Sequence, residues 1–313
     1  MHQTQIAFAS LAPPLVVSYG MGVNSTALLI ELERRGIRPD LILFADTGSE
    51  KKGTYAYRPV IDAWLERVGF PAIEVVRYAA KNFKNYPPYR SLEENLLTNA
   101  TLPSLAFGFK SCSLKWKVAP QDAFVRSWRP ALDCWAAGGR VRKAIGYDAG
   151  PADIRRRNHA GSLEDDDYAY WYPLIEWGLD REACLAIIVQ AGLPVPPKSA
   201  CYFCPATKPA ELHEAPLEEL RRIVVIEARA RPRLRSVEGL WRKAVVGSRG
   251  GTERPGSMTQ YIRERALLPA EEIGAIVAGT PTHLLMKDEV DSWQRWLGNL
   301  CEGAAASGCV CRG

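Results

Sequence analysis

Residues 15–36, LVVSYGMGVNSTALLIELERRG, set the architecture expected of this chain. A short apolar run leads into a turn that contains Gly20 and Gly22, and leucines then recur at helical spacing up to Gly36. An apolar run closed by glycine is typical of a buried strand, and the leucine spacing predicts an amphipathic helix that ends at a glycine. The segment therefore predicts a strand, a tight turn and a helix, which is the first half of a β-α-β unit.

The same alternation continues along the chain. LILFADTG at residues 41–48 and AIEVVRY at residues 72–78 are typical of buried strands, and residues 57–68 between them keep a helical period. Strand, helix and strand at this spacing predict parallel strands joined by right-handed crossovers. The same criteria assign the later segments: strands at 141–147 and 170–177, helices at 179–193, 217–230 and 288–300, a charged loop at 150–167, and irregular chain at 82–111 and 194–209.

We therefore expect an α/β fold, with a doubly wound, mostly parallel sheet and a helical C-terminal extension. With 313 residues, of which 47% are hydrophobic, the chain can bury a full core. The predicted boundary gives an α/β domain at 1–215, which includes the cysteine site, and a basic helical extension at 216–313. No stretch reaches the roughly 18 apolar residues of a membrane helix. The N-terminus lacks a secretory signal pattern, so we expect a cytoplasmic protein with no membrane partner.

The turn after the first strand has the composition of an anion site. Backbone N–H groups at a helix start lack helical partners, and the helix dipole favours an anion there. Gly20 and Gly22 would let an anion approach the main chain, and Ser18, Ser25 and Thr26 could add hydroxyl donors. A tight strand-to-helix turn that binds nothing would show the same pattern.

The loop also resembles a known family. SYGMGVNSTA followed by FADTGSE is similar to the PP-loop of ATP pyrophosphatases, in particular the phosphoadenosine phosphosulfate (PAPS) reductase-like family of the adenine nucleotide α-hydrolase-like superfamily. That family's loop reads SGGxDS and binds the phosphates of ATP or of an adenylylated compound. In this chain Gly20 replaces the first Ser, Met21 the first Gly and Asn24 the Asp, and Ser18 is the candidate for the displaced hydroxyl.

The resemblance extends to the end of the second strand. Asp46, Thr47 and Gly48 match the family's DTG, which lies beside the nucleotide. The resemblance implies that Asp46 binds Mg²⁺ or a ribose hydroxyl. A loop aspartate that caps a helix is the alternative.

Four of the eight cysteines, Cys112, Cys184, Cys201 and Cys204, are candidates for chemistry. Thiols in the cytoplasm stay reduced, so metal or redox use is favoured over a disulfide framework. Cys201 and Cys204 form a C-x₂-C pair in a Pro-flanked loop, and Cys112 is followed by Lys115 and Lys117, which favour thiolates. Three further cysteines, whose role the sequence leaves open, lie in the C-terminal tail: Cys301, Cys309 and Cys311.

The resemblance supplies a metal hypothesis for these thiols. Cys112 matches the first Cys of the CC pair in family members that carry an iron–sulfur cluster, and Cys201 and Cys204 match their CxxC. Cys184 would complete the four ligands of a [4Fe–4S] centre, or one iron would stay open. Zn²⁺ bound structurally by the same cysteines is the rival, and unmetallated thiols are the third option.

Basic residues provide the remaining candidates. AIGYDAGPADIRRRN stands where the family has a substrate loop, and Arg155 there could bind sulfate or phosphate. Between Arg221 and Arg254 ten Lys or Arg face three Glu, which indicates either a solvated surface or a docking surface for nucleic acid.

Three functions follow from these features. The first is a PAPS reductase-like oxidoreductase with Cys112, Lys115, Lys117 and Arg155 as catalytic candidates and a thioredoxin-like reductant as partner. The second is an adenylating sulfurtransferase that takes sulfur from a donor and thiolates tRNA or DNA. The third is a non-catalytic module that binds nucleotide or nucleic acid and holds structural zinc.

Overall fold

Five parallel strands form the sheet of this computed structural model, which describes residues 12–109, 111–160, 165–247 and 253–302. The central strand pairs in parallel register with a neighbour on each side, and the outer pairs are parallel too. Their order across the sheet is β3-β2-β1-β4-β5. The strands are β1 (Leu15–Ser18), β2 (Leu41–Ala45), β3 (Ile73–Val76), β4 (Val141–Ile145) and β5 (Tyr168–Trp171).

The described residues form helices between and after these strands, and none of those helices is long and apolar enough to cross a membrane. The α-helices are α1 (Val23–Arg34), α2 (Lys52–Ala56), α3 (Arg58–Arg67), α4 (Leu92–Asn99), α5 (Ser111–Ser113), α6 (Ala119–Val125), α7 (Arg129–Ala136), α8 (Pro151–Ala160), α9 (Pro173–Glu176), α10 (Arg181–Gln190), α11 (Pro209–His213), α12 (Leu217–Ala230), α13 (Met258–Glu264), α14 (Ala270–Gly279) and α15 (Val290–Glu302). Shorter turns are the 3₁₀ segments Ser104–Phe107, Arg231–Arg233 and Lys287–Glu289 and the π-helical segment Leu114–Val118.

Helices cover both faces of the sheet because side chains alternate along each strand. Leu15 and Val17 of β1 are buried in a core with residues of α1, α3 and α10, whereas Val16 is buried in a second core with Val125 of α6 and Ala131 of α7. A parallel sheet covered on both faces needs such continuous apolar strands. The predicted doubly wound α/β fold is confirmed.

The described residues divide into two compact units. The sheet unit comprises the residues up to Asp46, Lys51–Val76 and Val118–Ser199, and the helical unit comprises Thr47–Glu50, Arg77–Lys117 and the residues from Ala200 onward. This division by contacts groups the CxxC pair with the C-terminal helices, whereas sequence reasoning assigned it to the N-terminal domain. The domain boundary near residue 215 stays a prediction.

The core of the helical unit surrounds α12, which packs against α4, α13, α14 and α15. Four charged residues of α12 are buried, and two of them, Arg229 and Glu227, hold neighbouring chain segments. The guanidinium of Arg229 donates hydrogen bonds to the carbonyl oxygens of Leu97, Pro281 (2.6 Å) and His283 (3.2 Å), and burial lowers its pKa to about 10. Its Nε and Nη1 are bonded to backbone carbonyls and its Nη2 is buried without a partner among the described residues, so this cation is not part of a solvent-exposed basic surface.

The second of these two charges, Glu227, ties the segment after α12 to the start of α13. Its Oε1 accepts from the backbone N–H of Leu240 (2.7 Å) and Met258 (3.0 Å), and its Oε2 accepts from Ser257 Oγ (2.6 Å) and the Thr259 N–H (2.8 Å). Four donors from two chain segments therefore converge on this one buried carboxylate.

Three stretches differ from the sequence prediction. Within residues 82–111, predicted to be irregular, α4 forms because Ser91 and Glu94 make a capping box: Ser91 Oγ accepts from the Glu94 N–H (3.1 Å), and the Glu94 carboxylate accepts from the Ser91 N–H (3.1 Å). Residues 150–167 were predicted to be a charged loop, but residues 151–160 form α8, with Pro151 as its first residue and Asp153 in its first turn.

Residues 170–177 were predicted to be one strand, but β5 ends at Trp171 and residues 173–176 form α9, which begins with Pro173. In all three cases the helix start signal was present in the sequence.

Replacing Glu227 with Gln should lower the free energy of unfolding by about 3 kcal/mol, because the donors around it lose a charged acceptor and gain a competing amide donor. Urea unfolding of the full chain measures the change. Glu214→Gln removes an equally charged but exposed carboxylate and should shift the free energy by less than about 0.5 kcal/mol. Equal shifts in the two variants would contradict the assigned role.

Candidate nucleotide loop and cysteine cluster

The carboxyl ends of the strands bring three predicted segments to one edge of the sheet unit. Ser18 ends β1, Asp46 follows β2 and Gly146 follows β4. β1 lies between β2 and β4, so the chain leaves it toward one side of the sheet and later returns on the other. Ligands of open α/β sheets bind at such a switch point. A side chain at Gly146 would bring its Cβ within 3.0 Å of the Ser25 Cα, so this glycine lets β4 approach the start of α1.

The predicted hydroxyl donors of the loop are bonded within the protein. Ser25 Oγ accepts from the N–H of Gly20 (3.2 Å) and Gly22 (3.3 Å) and donates to the Gly22 carbonyl (3.1 Å), so it folds the loop. Thr26 is fully buried with its Oγ1 3.1 Å from the Tyr19 hydroxyl. Ser18 Oγ donates to Gln121 Oε1 at 2.8 Å. Anion binding would therefore rest mainly on the backbone.

Gly20 leaves the main chain of the loop open on one side. Gly20 is exposed, lacks a positive φ, and a Cβ there would meet only Ser25 Oγ, at an ordinary 3.8 Å, among the described atoms. Neither conformation nor packing within this part of the chain therefore requires a glycine at position 20. Met21 carries the strain of the turn, since its φ is +54°, a region rarely used by non-glycine residues.

Asn24 sits at the centre of a polar network that sequence reasoning missed. Its Nδ2 donates to Asp148 Oδ2 (2.8 Å) and Asp153 Oδ2 (3.3 Å), and its Oδ1 accepts from Arg181 Nη1 (2.8 Å). Asp153 also accepts from Arg156 at 2.7 Å. Both aspartates are buried. No sequence motif joins these residues, which are brought together by α1, α8 and α10.

The Asp46–Gly48 segment splits between two environments. Asp46 is buried in the sheet unit, where it accepts from the Tyr55 hydroxyl at 2.7 Å. Thr47 and Gly48 belong to the helical unit. Gly48 has a φ of +67°, and a Cβ there would come within 2.8 Å of the Ser91 Cβ, so backbone conformation and packing explain this glycine without a ligand.

The CxxC pair forms a turn in the helical unit, in which the Cys204 N–H donates to the Cys201 carbonyl at 2.9 Å. Cys201 is buried with its Sγ 3.4 Å from Thr47 Oγ1. Burial and the nearby Glu50 carboxylate raise the pKa of Cys201 to about 12, against the opposing effect of Lys117. This thiol is therefore protonated at neutral pH.

Glu50 and Lys117 form an ion pair beside that thiol. Lys117 Nζ lies 2.8 Å from Glu50 Oε1, and the Glu50 side chain has no exposed surface. Burial is the largest influence and lowers the pKa of Lys117, but the charge and hydrogen bond of Glu50 together with the nearby Cys201 and Cys204 outweigh it, so the net shift is upward. Lys117, predicted to be catalytic, thus neutralises a buried carboxylate that sequence reasoning missed.

The other predicted catalytic residues have different surroundings. Cys112 is half-buried, and its N–H donates to Ser104 Oγ at 2.8 Å. The Lys115 ammonium lies over aromatic rings, 4.7 Å from the centre of Tyr78. Arg155 is exposed on α8.

Cys184, the candidate fourth ligand of the cluster that the resemblance implied, has an apolar environment. Cys184 is fully buried in the apolar core of the sheet unit, and burial raises its pKa to about 12. Among the residues that the structure describes, no three His, Cys, Asp or Glu side chains form a group that could hold a metal ion. Cys301, Cys309 and Cys311 lie outside the side chains that are described.

The basic segment is only partly available for docking. Arg221 pairs with Glu272, Arg222 pairs with Glu93 at 2.8 Å, and Arg229 is buried. Arg254 lies 4.7 Å from the ring centre of Trp241. The exposed cations of this segment among the described residues are Arg231, Arg233, Arg235, Arg242 and Lys243.

Asn24→Asp would place a third carboxylate against Asp148 and Asp153. The repulsion should lower the free energy of unfolding by roughly 1–3 kcal/mol at pH 7. The pKa of the new group would be raised in the folded state, so the loss should shrink as the pH falls and that group is protonated. Urea unfolding at pH 7 and pH 4.5 tests this.

The matched control is the double variant Asn24→Asp/Asp148→Asn. It keeps the number of carboxylates and restores a donor between them, so it should recover most of the lost stability. A pH-independent loss, or no recovery in the double variant, would contradict the network.

Lys117→Met should lower the free energy of unfolding by roughly 2–3 kcal/mol, because Glu50 loses its cation while buried. This loss of stability is smaller than that expected for a fully enclosed ion pair, because 36% of the Lys117 side chain is exposed. Lys117→Met/Glu50→Gln should be more stable than Lys117→Met alone. Lys287→Met, at an exposed site, serves as the control for loss of charge. Additive effects of the two substitutions would show that they are not coupled.

The comparisons with known proteins leave the family undetermined. No protein-family model matches this chain, and no curated protein matches its sequence. The features of the molecule on which a function can be argued are therefore the glycine loop, the Asn24 network and the thiols.

Proposed function

We propose that this protein is an enzyme that binds ATP or an adenylylated sulfur compound at the glycine loop and uses thiols of the helical unit for reductive or sulfur-transfer chemistry. The observation that carries the proposal is Gly20: it is exposed at the carboxyl edge of the sheet, where neither its φ nor its neighbours require a glycine. The PP-loop resemblance supports the same assignment. A phosphate group that contacts the main chain would account for the missing side chain.

The loop suits a phosphate for a second reason. Ser25 already satisfies the N–H groups of Gly20 and Gly22 and thereby holds the turn in shape. The first-turn N–H groups of α1 have no acceptor within the helix, and the positive end of the helix dipole lies there. A negatively charged ligand is the natural partner of such a site.

For the reductase, the chemistry requires one nucleophilic thiol and one resolving thiol. A cysteine thiolate attacks the sulfur of the adenylylated sulfate, the sulfur–oxygen bond breaks, and the nucleotide leaves with the electron pair. A thiol of a thioredoxin-like partner then attacks the cysteine sulfur, which releases sulfite and forms a disulfide. Two electrons pass from the two thiols to the sulfate sulfur. Cys112 is the better candidate nucleophile, because it is half-buried whereas Cys201 is enclosed with a raised pKa.

A second candidate function uses the same loop with a nucleic acid acceptor. ATP would adenylate an oxygen of tRNA or DNA with loss of pyrophosphate, and sulfur from a donor would then displace AMP. The exposed cations of the basic segment, Arg231, Arg233 and Arg235 among them, favour this alternative because they are available to phosphates.

The [4Fe–4S] cluster and its Zn²⁺ alternative at Cys112, Cys201 and Cys204 stay predictions, and the steps above are those of the thiols alone. Mg²⁺ would accompany ATP, and Asp46 is the candidate ligand that sequence reasoning named. A cytoplasmic setting, in which thiols stay reduced, also stays a prediction.

Nucleotide binding by the anaerobically purified full chain tests the proposal. Calorimetric titration with ATP, adenylyl sulfate and PAPS should detect binding to the wild type. Gly20→Ala should weaken it about tenfold and Gly20→Val further, because a Cβ would occupy the space of the anion while the fold accommodates it. Gly274→Ala adds the same methyl group at an open position in α14 and should have no effect.

Turnover assays on the same preparation separate the functions. Sulfite formed from PAPS or adenylyl sulfate, lost in Cys112→Ser, supports the reductase, and pyrophosphate release that depends on tRNA or DNA supports the sulfurtransferase. Binding without either would indicate a non-catalytic module. No nucleotide binding at all would overturn the proposal, and the iron, sulfide and zinc contents of the same preparation test the cluster and zinc predictions.

A further inference from the structure

Arg181 lies beside the glycine loop although sequence reasoning gave it no role. It is the first residue of α10, which packs against α1, so that both helices begin at the same edge of the sheet unit. Its Nη1 donates to Asn24 Oδ1 at 2.8 Å, and Asn24 is the second residue of α1. The cation is therefore held at the start of the helix that follows the loop.

The position of this guanidinium is determined by the network around Asn24. Carboxylates only accept hydrogen bonds, so the Asn24 amide nitrogen must face Asp148 and Asp153 and its oxygen must face Arg181. The carboxylates are fixed in turn: Asp148 Oδ1 accepts from the Gly150 N–H at 2.8 Å, and Asp153 Oδ1 accepts from Arg156 at 2.7 Å. Such a network prevents the arginine from adopting many rotamers.

Most N–H groups of the Arg181 guanidinium have no acceptor within the described part of the chain. A guanidinium has five N–H donors, and the bond to Asn24 is the one hydrogen bond that this side chain makes within the described part of the chain. The residue is exposed to solvent. Asp180, its neighbour in sequence, is occupied as the N-cap of α10, where its carboxylate accepts from the Ala183 N–H at 2.9 Å.

Charge balance explains why a cation is needed here. The two buried carboxylates would repel an anion at the loop, but Arg156 and Arg181 bring two positive charges to the same network. Arg156 is directly paired with Asp153, whereas Arg181 contacts a neutral amide. Arg181 is therefore the cation of this group that is not paired with a carboxylate.

We propose that Arg181 binds the phosphate or sulfate group of the ligand held by the glycine loop, with Asn24 as the residue that positions it. This inference rests on the proposed nucleotide-binding function. A guanidinium can keep its bond to Asn24 and contact two oxygens of a tetrahedral anion at once, which a lysine cannot do.

Titration calorimetry with ATP, adenylyl sulfate and adenosine tests the assignment on the full chain. Arg181→Ala should weaken the binding of ATP and adenylyl sulfate about 10- to 100-fold, because charge-assisted hydrogen bonds are lost. The affinity for adenosine, which has no anionic group, should not change. Arg181→Lys should give an intermediate loss. The affinity of the wild type should also fall more steeply with salt than that of Arg181→Ala.

Arg129→Ala is the matched control, since it removes an exposed arginine of the sheet unit that pairs with Asp133 on the surface. The relative losses for ATP and adenylyl sulfate identify which anionic group Arg181 contacts, and equal losses indicate the phosphate that both share. Nucleotide binding by Arg181→Ala at the level of wild type or of Arg129→Ala overturns the inference, as does an equal loss for adenosine. Failure of the wild type to bind any nucleotide overturns the proposed function itself, and Arg181 with it.

Discussion

The parallel hydrogen bonding of β1 to β2 on one side and β4 on the other is the constraint from which the arrangement of the sheet unit follows. A central strand must be apolar on both faces. In β1 the three residues before Ser18, which ends the strand, are apolar and buried. Because β1 is central, its outgoing turn lies between the ends of two neighbouring strands. The start of α1 thus faces residues that follow β4. Position 146 is a glycine because a side chain there would collide with the Ser25 backbone.

Much of this could be read from the sequence, because the signals are local. Apolar runs located β1, β2 and β3, and apolar residues at helical spacing located α1 and α12. Among the helices that were missed, α4 and α8 depend on start signals of one or two residues inside polar stretches that lack an apolar period. The division into compact units is not a local property, because the chain passes from one unit to the other after residues 46, 50, 76, 117 and 199.

Only the part of the candidate site that is contiguous in the sequence could be predicted. The glycine loop is contiguous, so its residues could be named, but the bonding of Ser18 to Gln121 depends on a residue 103 positions away. Asn24 illustrates the same limit from the other direction. The family motif has Asp at this position, so Asn24 weakens the resemblance. In this fold the side chain lies beside Asp148 and Asp153, where a neutral amide can donate to both carboxylates and a third carboxylate would be repelled. A substitution in a motif therefore has to be judged with the residues that the fold brings next to it.

The thiols show how burial decides chemistry within a single short motif. Burial and the Glu50 carboxylate raise the pKa of Cys201 to about 12, so this sulfur is a poor nucleophile at neutral pH. Thr47 links it to Glu50, since the threonine Oγ1 lies 3.4 Å from the sulfur and donates to Glu50 Oε1 at 3.2 Å. The bond to Thr47 and the Lys117 ammonium favour the thiolate, but burial and the carboxylate outweigh them. In the proposed chemistry the attacking thiol is therefore Cys112, which is half-buried, because enclosure has made the neighbouring CxxC sulfur unreactive.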